Sequence, residues 1–201
     1  MTDAATEFTI KSKWTDEDQH DVFIPGRRKP VNSIDKVSGE PHLRVRAGAD
    51  LKYIIGFIGD GEAYNSDRQQ IGYSWVDPDV TNWPDEPGIF EQNGLGTLYR
   101  QVSTKEVGPL TRTLRKTPGL RALMRDCAPL SIHYSSPESP GFTMTIPRGV
   151  LLRCHVTIHD DRISRTQMLS TYLRERRKGV ALDVMILPFG LLLYPLSWFG
   201  D

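Results

Sequence analysis

Residues 142–178 read FTMTIPRGVLLRCHVTIHDDRISRTQMLSTYLRERRK, and the fold class turns on this stretch. Apolar residues alternate with threonine from Phe142 to Ile146, a Pro147-Arg148-Gly149 turn follows, and alternation resumes from Val150 to His159. A period of two on both sides of a glycine turn predicts an antiparallel hairpin. At Asp160 and Asp161 the period changes. Met168, Leu169, Tyr172 and Leu173 fall at i,i+4 spacing, and Arg174, Arg176, Arg177 and Lys178 close the run just before Gly179. Acids at the start, cations at the end and a glycine beyond suit a helix dipole and its cap, which predicts a helix over 163–178.

Upstream, short β-rich runs at Phe8 to Trp14, Leu43 to Arg46, Leu51 to Ile58 and Ile71 to Val76 predict further strands. Residues 19–39 hold Pro25-Gly26, Pro30, Asn32 and Gly39 with little periodicity, and residues 77–96 hold Pro78, Pro84, Pro87, Gly88 and Gly94. Both stretches read as loops. Thr117-Pro118 supplies a cap and a first-turn proline for a helix ending before Pro129, and Leu182 to Leu187 reads as a closing strand. The expected architecture is therefore one α+β domain with a few packed helices and long loops, in which residues 1–7 and 77–96 are the mobile parts. A chain of 201 residues can bury about 70% of its unfolded surface, so it needs no metal or staple to fold.

Cys127 and Cys154 are too few for a disulfide framework and lack zinc-type spacing, which points to a reducing compartment. The first residues, MTDAATEFTIKSKW, have neither the basic start nor the apolar run of a secretory signal, and Thr2 stands where myristoylation requires glycine. Val184 to Phe199 is the longest apolar stretch, but Pro188, Gly190 and Pro195 break it. It falls short of the roughly 20 residues that span a bilayer. Zero net charge argues against a polyanion as main partner, so no sequence-specific nucleic-acid binding is expected. The total hides an asymmetry: residues 1–100 carry 11 basic against 17 acidic side chains, and residues 101–201 carry 14 against 8. An acidic and a basic end suit head-to-tail self-association or a negatively charged surface.

His133-x-Ser135 and His155-x-Thr157 match the short pattern of two-histidine phosphoesterases, whose imidazoles act as general acid and base on a phosphodiester. A three-letter pattern also arises by chance, and 22 positions separate these two histidines, fewer than that family's widely spaced halves. His155 and His159 would share a helix face, but on a strand they lie about 13 Å apart and cannot chelate one ion. Gly59-Asp60-Gly61 follows a strand without the lysine or helix of a phosphate loop and reads as a turn. No metal, cofactor or small-molecule substrate is expected. Arg174, Arg176, Arg177 and Lys178 precede the apolar stretch that ends in Trp198 and Phe199. Cations attract anionic headgroups at about 1 kcal/mol each and aromatics favour the headgroup level, so these six residues are the candidate anionic-surface site.

Thr157-Ile158-His159-Asp160-Asp161 is followed, after residues 162–188, by Phe189-Gly190-Leu191-Leu192. In order and spacing this resembles the matrix proteins of rhabdoviruses, the vesiculovirus type in particular. Pro137-Glu138, the Arg148-Gly149 turn and Phe8-Thr9-Ile10-Lys11 add to the resemblance, which is concentrated in residues 137–192. That family's lysine-rich arm and Pro-Pro-x-Tyr motif are not in this sequence. The resemblance implies a twisted antiparallel sheet in a single α+β domain, and a structural protein rather than an enzyme. Such a protein self-associates and links a viral nucleocapsid to the inner face of the membrane during assembly and budding. Its expected location is the virion and the host cytoplasm, neither secreted nor crossing the membrane by a helix. The alternative is a small intracellular phosphoesterase using His133 and His155.

Overall fold

The computed structural model describes residues 7–13, 16–48, 50–59, 61–76, 87–104, 130–146 and 153–176. Twelve strands lie within them: β1 (Glu7–Lys13), β2 (Asp16–Phe23), β3 (Asn32–Asp35), β4 (Leu43–Ala47), β5 (Tyr53–Ile58) and β6 (Glu62–Asn65), then β7 (Gln70–Val76), β8 (Gly88–Gln92), β9 (Gly96–Thr104), β10 (Leu130–Ser136), β11 (Ser139–Ile146) and β12 (Arg153–Ile158). Each pairs antiparallel with its sequence neighbours, and β1 pairs with β12 to close the ring, Phe8 opposite Val156 and Ile10 opposite Cys154. One helix, α1, covers residues 165–176.

A closed all-antiparallel barrel replaces the expected α+β domain of several packed helices and long loops. The cause is legible in β2, β3 and β8. In β2 and β3 the buried positions are His20, Val22, Asn32 and Ile34, so half of that inward face is polar and alternation is masked in the stretch taken for a loop. In the expected 77–96 loop, β8 turns Gly88, Phe90 and Gln92 inward, again one large apolar residue among three. The two arms of the expected 142–159 hairpin pair antiparallel, with Phe142 opposite Ile158 and Met144 opposite Val156, while the Pro147-Arg148-Gly149 turn between them lies outside the described residues. Strands β1, β4, β5 and β7 fall where β-rich runs predicted them, and α1 covers 165–176 of the helix predicted over 163–178, of which 177–178 lie outside the described residues. Residues 1–6 and 77–86, the helix expected after Thr117 and the strand expected at 182–187 lie outside the described residues.

Eight strands make a barrel whose own side chains just fill it, and the diameter grows with strand number. Twelve strands therefore leave an inner space that the wall alone does not close. α1 occupies it. Residues 166–173 and Glu175 are all buried, so the helix is covered on every side, as a core helix is. Its flanks touch wall after wall: Arg165 donates to Asn32 of β3 (3.0 Å), Ser170 to the Glu62 carbonyl of β6 (2.8 Å) and Gln167 to the Tyr73 carbonyl of β7 (3.1 Å). Between these polar contacts Met168, Leu169, Tyr172 and Leu173 join Phe8, Ile10, Phe90, Leu98, Ile132 and Phe142 in one core.

The wall thins where the helix comes close. A β-carbon at Gly56 would meet the Thr166 methyl at 2.8 Å, and one at Gly72 would overlap the Gln167 amide and the Glu91 carbonyl. Because successive strands alternate in direction, β12 descends to the end that holds the β10–β11 turn, and α1 starts back up the interior from there. Asp160 fastens this entry. Its carboxylate accepts from Ser139 Oγ (2.5 Å), from the Arg162 backbone N–H (3.1 Å) and from the Arg162 guanidinium (2.7 and 3.0 Å). Among the described residues no helix is long and apolar enough to cross a membrane.

Two outcomes follow from the filled interior. Gly72→Ala overpacks the helix contact and should cost about 1–3 kcal/mol, lowering the thermal midpoint by roughly 5 °C in a melt followed by circular dichroism. The Arg162 guanidinium beside Asp160 holds this carboxyl well below the usual carboxylate range. A pKa depressed in the folded state gives stability that is present above the unfolded value near pH 4 and is lost as the pH falls through the folded value. Asp160→Asn should therefore melt below wild type at pH 5–7, and the gap should shrink as the pH is taken below about 4.

Candidate functional site

At the far end of α1 the interior turns polar. Arg100 of β9 forms a two-pronged ion pair with Glu175, Nε to Oε1 at 2.7 Å and Nη2 to Oε2 at 3.0 Å, with both side chains fully buried. Tyr134 of β10 donates to the same carboxylate at 2.6 Å and stacks on Phe142, ring centroids 5.1 Å apart. Burial raises the Tyr134 hydroxyl pKa well above its ordinary value, and Tyr172 is pushed up to about 12 for the same reason. Both phenols stay protonated. The buried Cys154 thiol is likewise pushed up by burial and stays a packing group. The triad's chemistry is anchorage: it pins the end of α1 to the wall.

The six residues of the expected anionic-surface site fall in two groups. Arg174 and Arg176 belong to α1 and are half-buried. Arg174 donates to the Ser74 carbonyl (2.5 Å), and Arg176 reaches Ser12 and the Nδ1 atom of His20 (3.1 Å), so both guanidinium groups are engaged by the barrel wall. Arg177, Lys178, Trp198 and Phe199 lie outside the described residues.

His133 and His155 both point outward, on β10 and β12, with β11 between them. Two inter-strand steps of about 4.8 Å and a two-residue offset put them roughly 12 Å apart on a convex wall. Each has its own partner: His155 Nδ1 meets Thr9 Oγ1 (3.1 Å), and His133 Nδ1 meets Thr143 Oγ1 (2.9 Å). The cleft that an acid–base pair needs is not formed between them. Instead His133 is brought to His159, ring centroids 5.8 Å apart. Among the described residues no three or more His, Cys, Asp or Glu side chains converge as a metal cluster.

The outer wall is divided by charge. Ion pairs gather on the β2–β6 side: Lys36 with Asp18 (3.1 Å), Arg44 and Arg46 with Asp35 (2.8 and 3.3 Å), and Arg68 with Glu40 (3.0 Å). From β8 round to β12 the outward positions are Ser, Thr, Gln, His, Tyr and Ile, and Glu91 and Arg153 are the charged exceptions. Glu91 accepts from Tyr73 Oη (2.7 Å). Along one edge Trp75, Ile89 and Tyr99 stand in register on β7, β8 and β9, with Trp75 41% and Tyr99 57% exposed. A soluble surface ordinarily carries about 25–35% charged residues. Charge depletion with Tyr and Trp enrichment is the composition of an interface core.

Sequence reasoning missed this face because β7 inverts the usual pattern. Its large residues, Tyr73 and Trp75, point to solvent, while Gly72 and Ser74 point in, where Gln167 and Arg174 come close. The alternation of small with aromatic residues in 72–75 was the available signal, and its phase was set by a helix a hundred residues away.

No family model, curated protein or solved structure matches the chain.

Glu175→Gln removes the carboxylate charge that faces the buried Arg100. Breaking a buried pair from one side costs about 3–5 kcal/mol, while replacing both partners by apolar side chains is close to neutral. Denaturant unfolding should show Glu175→Gln strongly destabilised, and Arg100→Met combined with Glu175→Leu and with Tyr134→Phe, which removes the hydroxyl that donates to the same carboxylate, should recover most of the loss.

Proposed function

We propose that the protein is a non-catalytic structural module that associates with further copies of itself through the charge-poor β7–β12 wall. The observation that carries this is the register row Trp75–Ile89–Tyr99 set in a six-strand face with two charged outward residues on β8–β12. A face with few charges is matched by the same face of a second copy, because pairing the two takes few ions away from water. The β2–β6 side exposes Tyr53, Ile54 and Ile55 of β5 as well, but there they are flanked by ion pairs. Trp75 and Tyr99 are the side chains that would carry most of the contact energy, as aromatic anchors do. The wall is convex, so each contact is small and association is reversible.

The interior adds support. α1 occupies the space in which a barrel protein could hold a small molecule, so recognition falls to the outside. Within this proposal a matrix-type role is the wider setting, a lattice of copies between a nucleocapsid and an anionic membrane. It rests on the fragments 157–161 and 189–192, and the α+β fold that the resemblance implied is not the fold found. Contact with an anionic surface then falls mainly to Arg177, Lys178, Trp198 and Phe199, since Arg174 and Arg176 are engaged inside the barrel. The phosphoesterase alternative lacks the convergence of His133 and His155 it requires.

Sedimentation velocity separates these outcomes. Wild type should shift from monomer toward dimer and larger species as concentration rises into the range of about 1 mM, which corresponds to roughly −4 kcal/mol. Trp75→Glu with Tyr99→Glu places charge in exposed positions and should leave a monomer with an unchanged thermal midpoint. A wild type that stays monomeric throughout, or a double variant that associates equally, would refute self-association through this wall.

A further inference from the structure

His133, Thr143 and His159 meet on the outward face of the barrel, contributed by β10, β11 and the residue that follows β12. Register brings them together. His133 stands directly opposite Thr143, and His159 extends the β11–β12 pairing by one residue, its N–H donating to the Gly141 carbonyl (2.8 Å). Gly141 has a φ of +65°, and a β-carbon there would strike the Tyr134 carbonyl, so the position opposite His159 carries no side chain. The His159 ring crosses that bare position and reaches Thr143.

The two rings aim nitrogens at one point. His133 Nδ1 and His159 Nε2 each lie 2.9 Å from Thr143 Oγ1. A hydroxyl has a single proton, so it donates to one of these nitrogens and accepts from the N–H of the other, which leaves at least one imidazole lone pair facing it. Neighbouring donors on an ion bound at about 2.0–2.2 Å sit about 3 Å from each other, and both N···O distances already meet that requirement. Chelation also requires the two nitrogens to approach one another by rotation of the two side chains, whose ring centroids lie 5.8 Å apart.

We propose that His133, Thr143 and His159 form a divalent transition-metal site, with two imidazole nitrogens and the Thr143 hydroxyl as protein donors and water completing the shell. Imidazole donors select Cu²⁺, Ni²⁺ and Zn²⁺ over Mg²⁺ and Ca²⁺, which prefer oxygen ligands. The site does not depend on self-association, nor does folding depend on the ion, since Thr143 already links the two rings. Reading along the sequence excluded the pair His155 and His159 on one strand; the workable partner of His159 lies across the sheet, 26 positions away.

The test is titration of the full chain with Zn²⁺ by calorimetry at pH 7.5, together with Cu²⁺ electron paramagnetic resonance. One saturable equivalent is expected, and the Cu²⁺ spectrum should show two coupled nitrogens. His133→Ala and His159→Ala should each weaken binding by at least about tenfold, since even outer-shell changes at metal sites cost 10–100-fold. His155→Ala should bind as wild type. No saturable binding, a Cu²⁺ spectrum with fewer than two nitrogens, or undiminished affinity in both His133→Ala and His159→Ala would overturn the site. Circular dichroism of each variant checks that the barrel is retained, and the wild-type spectrum decides the matter independently of any variant.

Discussion

The interior of a twelve-stranded barrel is too wide for its own side chains to close, and protein interiors tolerate few voids. α1 meets this constraint, and most other features follow from its presence. Where its first turn passes near the wall the inward residues shrink to Gly56 and Gly72. Where space opens, at the other end, Arg100, Tyr134 and Glu175 fill it with a fully satisfied charge pair. Burying two ions is costly in general, and it is tolerated here because both prongs of the guanidinium and a phenol meet one carboxylate.

The same constraint shapes the outside. A strand whose inward positions must be small has its large side chains left to face water, and β7 shows this with Tyr73 and Trp75. Next to them the β8–β12 wall is held by threonine, serine and histidine rather than by ion pairs, while five ion pairs lie on the β2–β6 side among the described residues. Strands of both walls have the same job on the inside. Their outer faces are free to differ, and it is in that difference that a functional surface is written.

Reading residues in order recovered the elements whose two faces differ cleanly. The 142–159 hairpin and α1 were legible because Phe142, Met144, Val156 and Ile158 alternate with threonine and histidine, and because Met168, Leu169, Tyr172 and Leu173 repeat at helical spacing. His20 and Asn32 point into the barrel and Trp75 points out of it, so β2, β3 and the phase of β7 were hidden by residues of the wrong polarity for their face. Each is explained by a contact with a distant segment: His20 by Ser12 (2.9 Å) and Tyr172, Asn32 by Arg165 (3.0 Å), Trp75 by the nearness of α1 to Ser74. The His133–His159 pair was invisible for a related reason, since cross-strand register is fixed by closure of the whole ring rather than by local spacing. Arg174 and Arg176 had the composition of a solvated helix end, yet that end sits inside the wall.

Closure of β1 on β12 and insertion of α1 have a consequence for how the molecule comes into being on the ribosome. The first strand cannot find its outer neighbour until some hundred and fifty residues more have emerged, and the helix that fills the centre emerges after every described strand. Until then the growing sheet has an open edge and a bare apolar inner face, the two features that invite unwanted pairing between nascent chains. Such a chain completes its fold only after the last turn of α1 leaves the exit tunnel. The time spent waiting for that segment, set by translation speed and by any holding chaperone, governs how much of it reaches the closed state.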